Sequence, residues 1–213
     1  MKKNYDKIPV GVIERISTYL SCLMQLEKES VKTVSSKRLE QLTGTNSAEI
    51  RRDLIYFGNF GILGVGYEVK SLIKEIQDIL GADKRHNIVV IGAGNLGLAI
   101  SNHDGLKNHG FIVKAIFDND KEKIGKEISG IKVSALDDLT EVISNESIEI
   151  GILATPPGAA RQSAKTLTDA GVRVILNYTS IAIEAEKDIV VYNSDPVSDL
   201  LYTLYYFTSK KSE

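Results

Sequence analysis

Two groups of residues in this 213-residue chain have types and spacings that could act on a ligand. The first is Gly92-Ala93-Gly94-Asn95-Leu96-Gly97, directly after the apolar run Ile88-Val89-Val90-Ile91. In a G-x-G-x-x-G run the glycines allow a tight turn, close backbone approach to a pyrophosphate, and close packing of the next helix on its strand. A helix entered at Asn95 would aim unpaired N–H groups and its positive dipole end at that pyrophosphate. Asp118 ends the next apolar run, Ile112-Val113-Lys114-Ala115-Ile116-Phe117. A carboxylate about 20 residues past the glycines can accept from ribose hydroxyls and repel a 2′-phosphate, which favours NAD over NADP. The plainer reading is a turn aspartate in Asp118-Asn119-Asp120. The second group is Arg51-Arg52, adjacent cations able to contact phosphates or a guanine edge.

The elements that must position these groups follow from hydrophobic patterning. Residues 88–91 read as a buried parallel strand. Further strands are expected at 111–117, 131–134, 148–153, 172–176 and 189–192, and helices at about 95–108, 137–145, 158–170 and 196–208. Alternation with short links predicts an α/β doubly wound parallel sheet of Rossmann type. Ligands of such sheets bind beyond the carboxyl ends of the strands. Two loops sit there, Ala154-Thr155-Pro156-Pro157-Gly158 and Asn177-Tyr178-Thr179-Ser180. Ala154, Thr155, Pro156, Asn177 and Tyr178 are candidates to line the nicotinamide half; ordinary connecting loops are the alternative.

Upstream, Val12, Ile13, Ile16, Tyr19, Leu20, Leu23 and Leu26 mark a helix over 9–29. A short strand-like segment at 30–34 precedes a helix capped by Ser35 or Ser36, with Leu39 and Leu42 as its apolar ridge. Thr43-Gly44-Thr45-Asn46 breaks it, and Ser47 is expected to cap the next helix, 48–57, which carries the arginines. Helix, Gly-containing turn, helix is a DNA-binding pattern whose second helix enters the major groove. Residues 58–67 hold four glycines among apolar residues and predict a hairpin, hence a winged helix. A helix at 69–80 and a polar linker at 81–86 complete this half. The expected domains are therefore a winged-helix DNA-binding domain at 1–84, a dinucleotide-binding domain at 85–195, and a C-terminal helix at 196–213. In that helix Leu200, Leu201, Leu204, Tyr205 and Phe207 cover more than one face, which requires a partner on several sides. A homodimer interface, with the helix exchanged between subunits as one arrangement, meets that requirement.

Net charge is −2 and unevenly spread. Residues 1–85 hold 14 basic and 11 acidic residues, and residues 86–213 hold 12 and 17, so only the first part suits a polyanion. The single cysteine, Cys22, excludes an internal disulfide framework and a cysteine-based metal cluster, and among Leu20, Leu23, Met24 and Leu26 it reads as an inert core thiol. No metal site is expected. No apolar run could span a membrane, and the charged start lacks a signal-peptide core, so a cytoplasmic protein is expected. The histidines His86, His103 and His109 are candidate acid/base groups, but none is paired with a nucleophile, and no catalytic residue is assigned.

In this order, the recognition-helix, wing and glycine motifs resemble those of the Rex family of redox-sensing transcriptional repressors, over nearly the whole chain. The resemblance rests on Ser35-Ser36, Ile50-Arg51-Arg52-Asp53-Leu54 with Tyr56-Phe57-Gly58, Gly64-Val65-Gly66-Tyr67, the glycine run, Phe117-Asp118, and Ala170-Gly171-Val172 before Ile175-Leu176-Asn177. It implies a homodimer that binds a palindromic operator and is released when NADH rises relative to NAD+. NAD(H) would be a sensed ligand, the C-terminal helix would be swapped, and there would be neither a small-molecule substrate nor a membrane partner. Lys7, Ser36, Lys37, Ser47, Arg51, Arg52, Tyr56, Gly64 and Tyr67 become the DNA-contact set, with Lys7 and Lys37 on phosphates. Several positions depart from the family pattern. Ile62-Leu63 stands where the wing usually carries Lys or Arg. Ser21 and His103 stand where many members have an Arg and a Tyr, which in some members pair with an aspartate matching Asp195, and Pro157 and Ser180 differ in the crevice loops. Two other readings compete. A small NAD-dependent oxidoreductase would need a substrate domain, and the chain after the Rossmann half is short. A nucleotide- or coenzyme A-binding module would leave the helix-turn-helix without a use.

Overall fold

A computed structural model describes residues 8–58, 60–62, 64–184 and 187–209. The chain divides into two compact units between Lys84 and Arg85. In the first, α1 (Val10–Lys28) buries Val12, Ile16, Tyr19, Leu20, Leu23 and Leu26 along one face, the recurrence of an amphipathic helix. Ser35 caps α2 (Ser36–Thr43) by accepting from the Arg38 N–H, and Gly44 ends it at φ +74°, a left-handed conformation that favours glycine. The cap of α3 (Ser47–Ile55) is Asn46, not Ser47. The Asn46 carbonyl accepts the first helical bond, from Ile50, and its side chain accepts from the Ala48 N–H at 2.8 Å. Helix α3 also ends earlier than expected, at Ile55, because Phe57 turns into the core. Strands β1 (Thr33–Val34), β2 (Gly61–Ile62) and β3 (Gly66–Glu68) form an antiparallel sheet in the order β1-β3-β2. Gly66 has φ +106°, and a Cβ there would lie 2.5 Å from the Val34 carbonyl oxygen, so glycine lets the wing close on β1. Helix α4 (Val69–Leu80) completes the core, in which Leu39, Ile50, Leu54 and Phe57 meet the buried face of α1. Leu42, expected beside Leu39, is exposed.

The second unit is a seven-stranded sheet in the order β10-β9-β8-β4-β5-β7-β6. Its strands are β4 (His86–Ile91), β5 (Phe111–Asp118), β6 (Glu127–Ile128), β7 (Ile131–Ala135), β8 (Ile150–Leu153), β9 (Val174–Asn177) and β10 (Val190–Asn193). All pairings are parallel except β6 with β7, a hairpin the apolar pattern does not announce. Ser129 and Gly130 both have positive φ at its tip, as a two-residue primed turn requires. Alternate residues of β4 face opposite layers. Val89 and Ile91 pack with residues of α7 (Leu139–Asn145) and α8 (Pro157–Asp169), while Ile88 and Val90 pack with Ile100. Helices on both faces make the sheet doubly wound.

Two expectations are corrected in this unit. His86 is not in a linker: it opens β4 and stacks on Phe111 at 5.7 Å. The helix expected over 95–108 is two, α5 (Asn95–Ser101) and α6 (Asp104–Asn108). Ser101 and Asn102 bond back to the Gly97 and Leu98 carbonyls, and the extended His103 caps α6 through Nδ1. Polar side chains that offer the backbone such alternatives end helices. The final helix, α9 (Pro196–Ser209), carries Val197, Leu200, Leu201, Tyr202, Leu204, Tyr205 and Phe207, each more than half exposed.

Candidate dinucleotide cleft and nucleic-acid face

The three glycines after β4 serve three different needs. Gly92 has φ +106°, and a side chain there would strike the Ala154 carbonyl oxygen. A Cβ at Gly97 would strike the Gly92 carbonyl oxygen, so α5 can start close against the strand only without one. A Cβ at Gly94 would meet nothing within 4 Å. That side of the loop opens on a cleft of about 660 Å³ whose lining includes Gly94, Asn95, Leu96, Asp118, Thr155 and Pro156. Gly94 is the N-cap of α5 and supplies no side-chain cap, so the first-turn N–H groups point outward with no side chain over them. Thr155 Oγ1 is buried in the same lining and has no hydrogen-bond partner among the described residues. An orphaned hydroxyl costs about 1–3 kcal/mol, and a polar ligand atom in the cleft would satisfy it. Open backbone, uncapped amides and an unmet hydroxyl fit a dinucleotide.

Asp118 ends β5 and is 7 % exposed. Its Oδ2 accepts from the Ala93 N–H at 2.7 Å and from Lys123 Nζ at 3.1 Å, and its Oδ1 accepts from the Asp120 N–H at 2.9 Å. Burial works against the charge. The Asp120 and Ala93 N–H groups and the Lys123 ammonium outweigh it and hold the carboxyl below the usual range. Asp118 therefore pins the glycine loop to β5. A carboxylate offers about four acceptor sites, so capacity remains for a ribose hydroxyl. Lys123 escapes the sequence reading, which stops at the ends of predicted strands.

Ala154, Thr155 and Pro156 line the cleft, and Ala93 lies buried behind the loop. Asn177 and Tyr178 are not brought to that lining. Asn177 is fully buried; its Nδ2 donates to the Ile181 carbonyl and to Asn193 Oδ1, both at 2.8 Å, and its Oδ1 accepts from the Thr179 N–H and hydroxyl. Tyr178 packs with Ile88 and Val90. His86, at the amino end of β4, and His103 and His109, which flank α6, are also absent from the lining. Among the described residues no cluster of His, Cys, Asp and Glu could hold a metal ion. Cys22 is half-buried, and burial pushes its thiol pKa up, away from reactivity.

In the first unit, Arg51 and Arg52 are exposed on α3. Arg51 Nη1 donates to Ser36 Oγ at 2.9 Å, so the second helix of the pair reaches the start of the first. Lys37 is exposed beside it, Ser47 is half-buried, and Tyr56 is exposed just past α3. Gly64, at φ +77°, turns the wing, where the Val65 N–H bonds the Ile62 carbonyl at 3.0 Å. Ile62 is exposed there; Lys7 and Leu63 lie outside the described residues. Tyr67 departs from the set: it is buried with its ring against Gly61, and burial raises its pKa while the nearby Arg51 charge lowers it.

The sequence reading missed a further group. Asp53, 2 % exposed on α3, accepts from Arg15 through Nε to Oδ2 and Nη2 to Oδ1, both at 2.7 Å. Tyr19 Oη donates to the same Oδ2 at 2.8 Å. Hydrogen bonding to Asp53 drives the Arg15 pKa up; burial, then the Asp53 bond, does so for Tyr19. One signal was available: Asp53 falls three residues after Ile50 and one before Leu54, on the buried stripe of α3. Ser21 is exposed and bonds back to the Ser17 carbonyl, and Asp195 caps α9 by accepting from Ser198 and Val197.

Residues 83–181 match the family described as CoA binding domain, and residues 7–54 match the one described as putative DNA-binding protein N-terminus. The chain is 39 % identical over 203 residues to the redox-sensing transcriptional repressor Rex of Rubrobacter xylanophilus, covering 95 % of this chain and 94 % of that protein. It is 42 % identical over 189 residues to the Rex of Carboxydothermus hydrogenoformans, covering 89 % and 91 %. Among solved structures it is similar to RSP, a Rex-family repressor. The complex of RSP with beta-NAD+ and operator DNA has a TM-score of 0.85 at 36 % identity, covering 96 % of this chain and 94 % of that one. The complex with beta-NADH has a TM-score of 0.84 at 34 % identity, covering 97 % and 96 %.

Proposed function

The chain belongs to the Rex family of redox-sensing transcriptional repressors, and from that premise we propose that it holds operator DNA as a homodimer and releases it when NADH rises relative to NAD+. The observation that carries this reading is the union, in one chain, of an arginine-bearing helix-turn-helix with a cleft whose open loop and orphaned Thr155 hydroxyl suit a dinucleotide. Rex proteins are repressors, not enzymes. NAD(H) is accordingly a ligand whose redox form is read, and no acid or base is needed beside it.

The roles divide between the units, taken as 1–84 and 85–195 with residues 196–213, which include α9, as a third part. Asp118 accepts from the adenosine ribose, and Gly92, Gly94 and Gly97 with the first turn from Asn95 and Leu96 take the pyrophosphate. Ala154, Thr155 and Pro156 line the nicotinamide side, and Asn177 and Tyr178 support that edge from behind. Arg51 and Arg52 meet DNA in the major groove, with Ser36, Ser47, Tyr56 and the wing around Gly64 beside them and Lys7 and Lys37 on phosphates. Tyr67 supports the wing from beneath. The exposed apolar side chains of α9 supply the homodimer interface, with the helix exchanged between subunits. A repressor that acts on operator DNA works in the cytoplasm, which is the localisation proposed. No helix among the described residues is long and apolar enough to cross a membrane.

Gel retardation of a palindromic operator fragment, titrated with NADH and with NAD+, tests the reading. Retardation is expected, with release at lower NADH than NAD+. Indifference to both dinucleotides would overturn the sensing role, and absence of retardation would overturn the repressor role.

A further inference from the structure

We propose that Arg15, on α1, is the positioning residue that makes the recognition helix acceptable to DNA, by pairing with both of that helix's carboxylates, Asp53 and Glu49. The proposal rests on the reading of α3 as the DNA-contacting helix.

Helix α3 is an unpromising DNA reader on its own, since Glu49 and Asp53 offset Arg51 and Arg52. The two acids are one turn apart, a spacing at which like charges repel. Asp53 is moreover buried, and a buried carboxylate needs a paired, hydrogen-bonded partner. Arg15 meets both needs from outside the helix. Its Nε and Nη2 close a two-pronged bond on Asp53, a geometry that a guanidinium has and an ammonium lacks. Its Nη1 lies 3.4 Å from Glu49 Oε1. Tyr19, one turn further along α1, adds a third donor to Asp53. One cation thus spans two carboxylates on the stripe of α3 that faces α1.

Two consequences follow for the opposite face. The three bonds to Asp53 fix the roll of α3 about its own axis, and that roll presents Arg51 and Arg52 outward. With Arg15 the group formed by Arg51, Arg52, Glu49 and Asp53 moves from no net charge to a net positive charge, with the two arginines exposed. Without Arg15, Glu49, which is only half-buried, would stand as an unpaired anion at the start of the helix. It would oppose approach to the phosphate backbone, whose charge dominates such binding.

A double-mutant cycle on the full chain tests this, with operator affinity read by fluorescence anisotropy and stability by thermal unfolding. Arg15→Gln is expected to weaken operator binding by about tenfold or more. Glu49→Gln alone is expected to change it by less than about threefold, because the nearby Arg15 charge partly offsets that of Glu49. In the Arg15→Gln background the same Glu49→Gln change is expected to recover about threefold or more while the unfolding temperature stays low, since Asp53 remains unpaired. Recovery of affinity without recovery of stability is a result that a packing role does not produce. Additive effects would overturn the proposal. If Arg15→Gln does not unfold cooperatively, the neutral background Arg15→Gln/Asp53→Asn, which buries no charge, carries the same comparison. Arg51→Ala separates the two ways of failing. Undiminished operator binding there would refute α3 as the reading helix. Diminished binding there, with none lost in Arg15→Gln, would refute only the role of Arg15.

Discussion

Each unit is built around one buried aspartate, and the two are held by opposite means. Asp53 takes its bonds from the side chains of Arg15 and Tyr19, 38 and 34 positions away in sequence. Asp118 takes two of its three from backbone N–H groups and the third from Lys123, five positions on. The first arrangement locks one helix against another, and its carboxylate is buried away from any cleft. The second shapes a loop, and its carboxylate lines the cleft with acceptor capacity left for a guest. A carboxylate satisfied by distant side chains sets the attitude of an element, whereas one held mainly by backbone N–H groups shapes a loop for binding.

That contrast breaks most sharply at the glycines. Gly97→Val puts a branched side chain where even a Cβ would strike the Gly92 carbonyl. NADH binding should be abolished, as followed by nucleotide fluorescence, while the operator is still retarded in its absence. Loss of both would mean that the cleft is not separable from the DNA face. Asp53→Ala comes next. It strands the Arg15 and Tyr19 donors, and because Arg15 is partly exposed the loss should fall below that of a fully buried pair, at about 2–3 kcal/mol. Thermal unfolding should show it, with NADH affinity unchanged; a matching fall in NADH affinity would deny the division of labour. Asp118→Ala should have a smaller effect, on the other unit, costing about 1–2 kcal/mol of NADH affinity, roughly fivefold to thirtyfold, with operator binding intact. Unaltered NADH affinity would remove the ribose role.

The same contrast explains what was legible in advance. The sheet, the helix-turn-helix and the cleft could be read because their signals are local: a glycine spacing, an apolar period, an aspartate at a known offset from the loop. The break at Ser101–Asp104 depends on side chains bonding the backbone, and the hairpin at Ser129 and Gly130 on left-handed backbone at two residues, and neither shows in hydrophobic period. Arg15 and Asp53 could not be paired from sequence, because nothing in a chain marks which cation meets a carboxylate 38 positions away. Asn177 and Tyr67 show the converse error. Both belong to recognised motifs, yet their side chains are buried in support of the motif and do not line its surface.

The smallest effect concerns acid. Asp118 has a depressed pKa in the folded chain, despite the burial that opposes it, because backbone N–H groups and Lys123 favour its charged form. Between the folded and unfolded values the unfolded chain binds more protons, so stability rises with pH there. The contribution is fully present above the unfolded value, near pH 4, and is lost as pH falls through the depressed folded one. Asp118→Asn keeps the shape and an acceptor oxygen but cannot titrate. Its unfolding temperature should therefore fall less steeply on acidification below about pH 4 than that of the unaltered protein, while above that range the variant is the less stable of the two. Parallel curves would mean that the loop is held by the backbone bonds whatever the charge at residue 118, and the charge of Asp118 would then have no part in shaping the cleft.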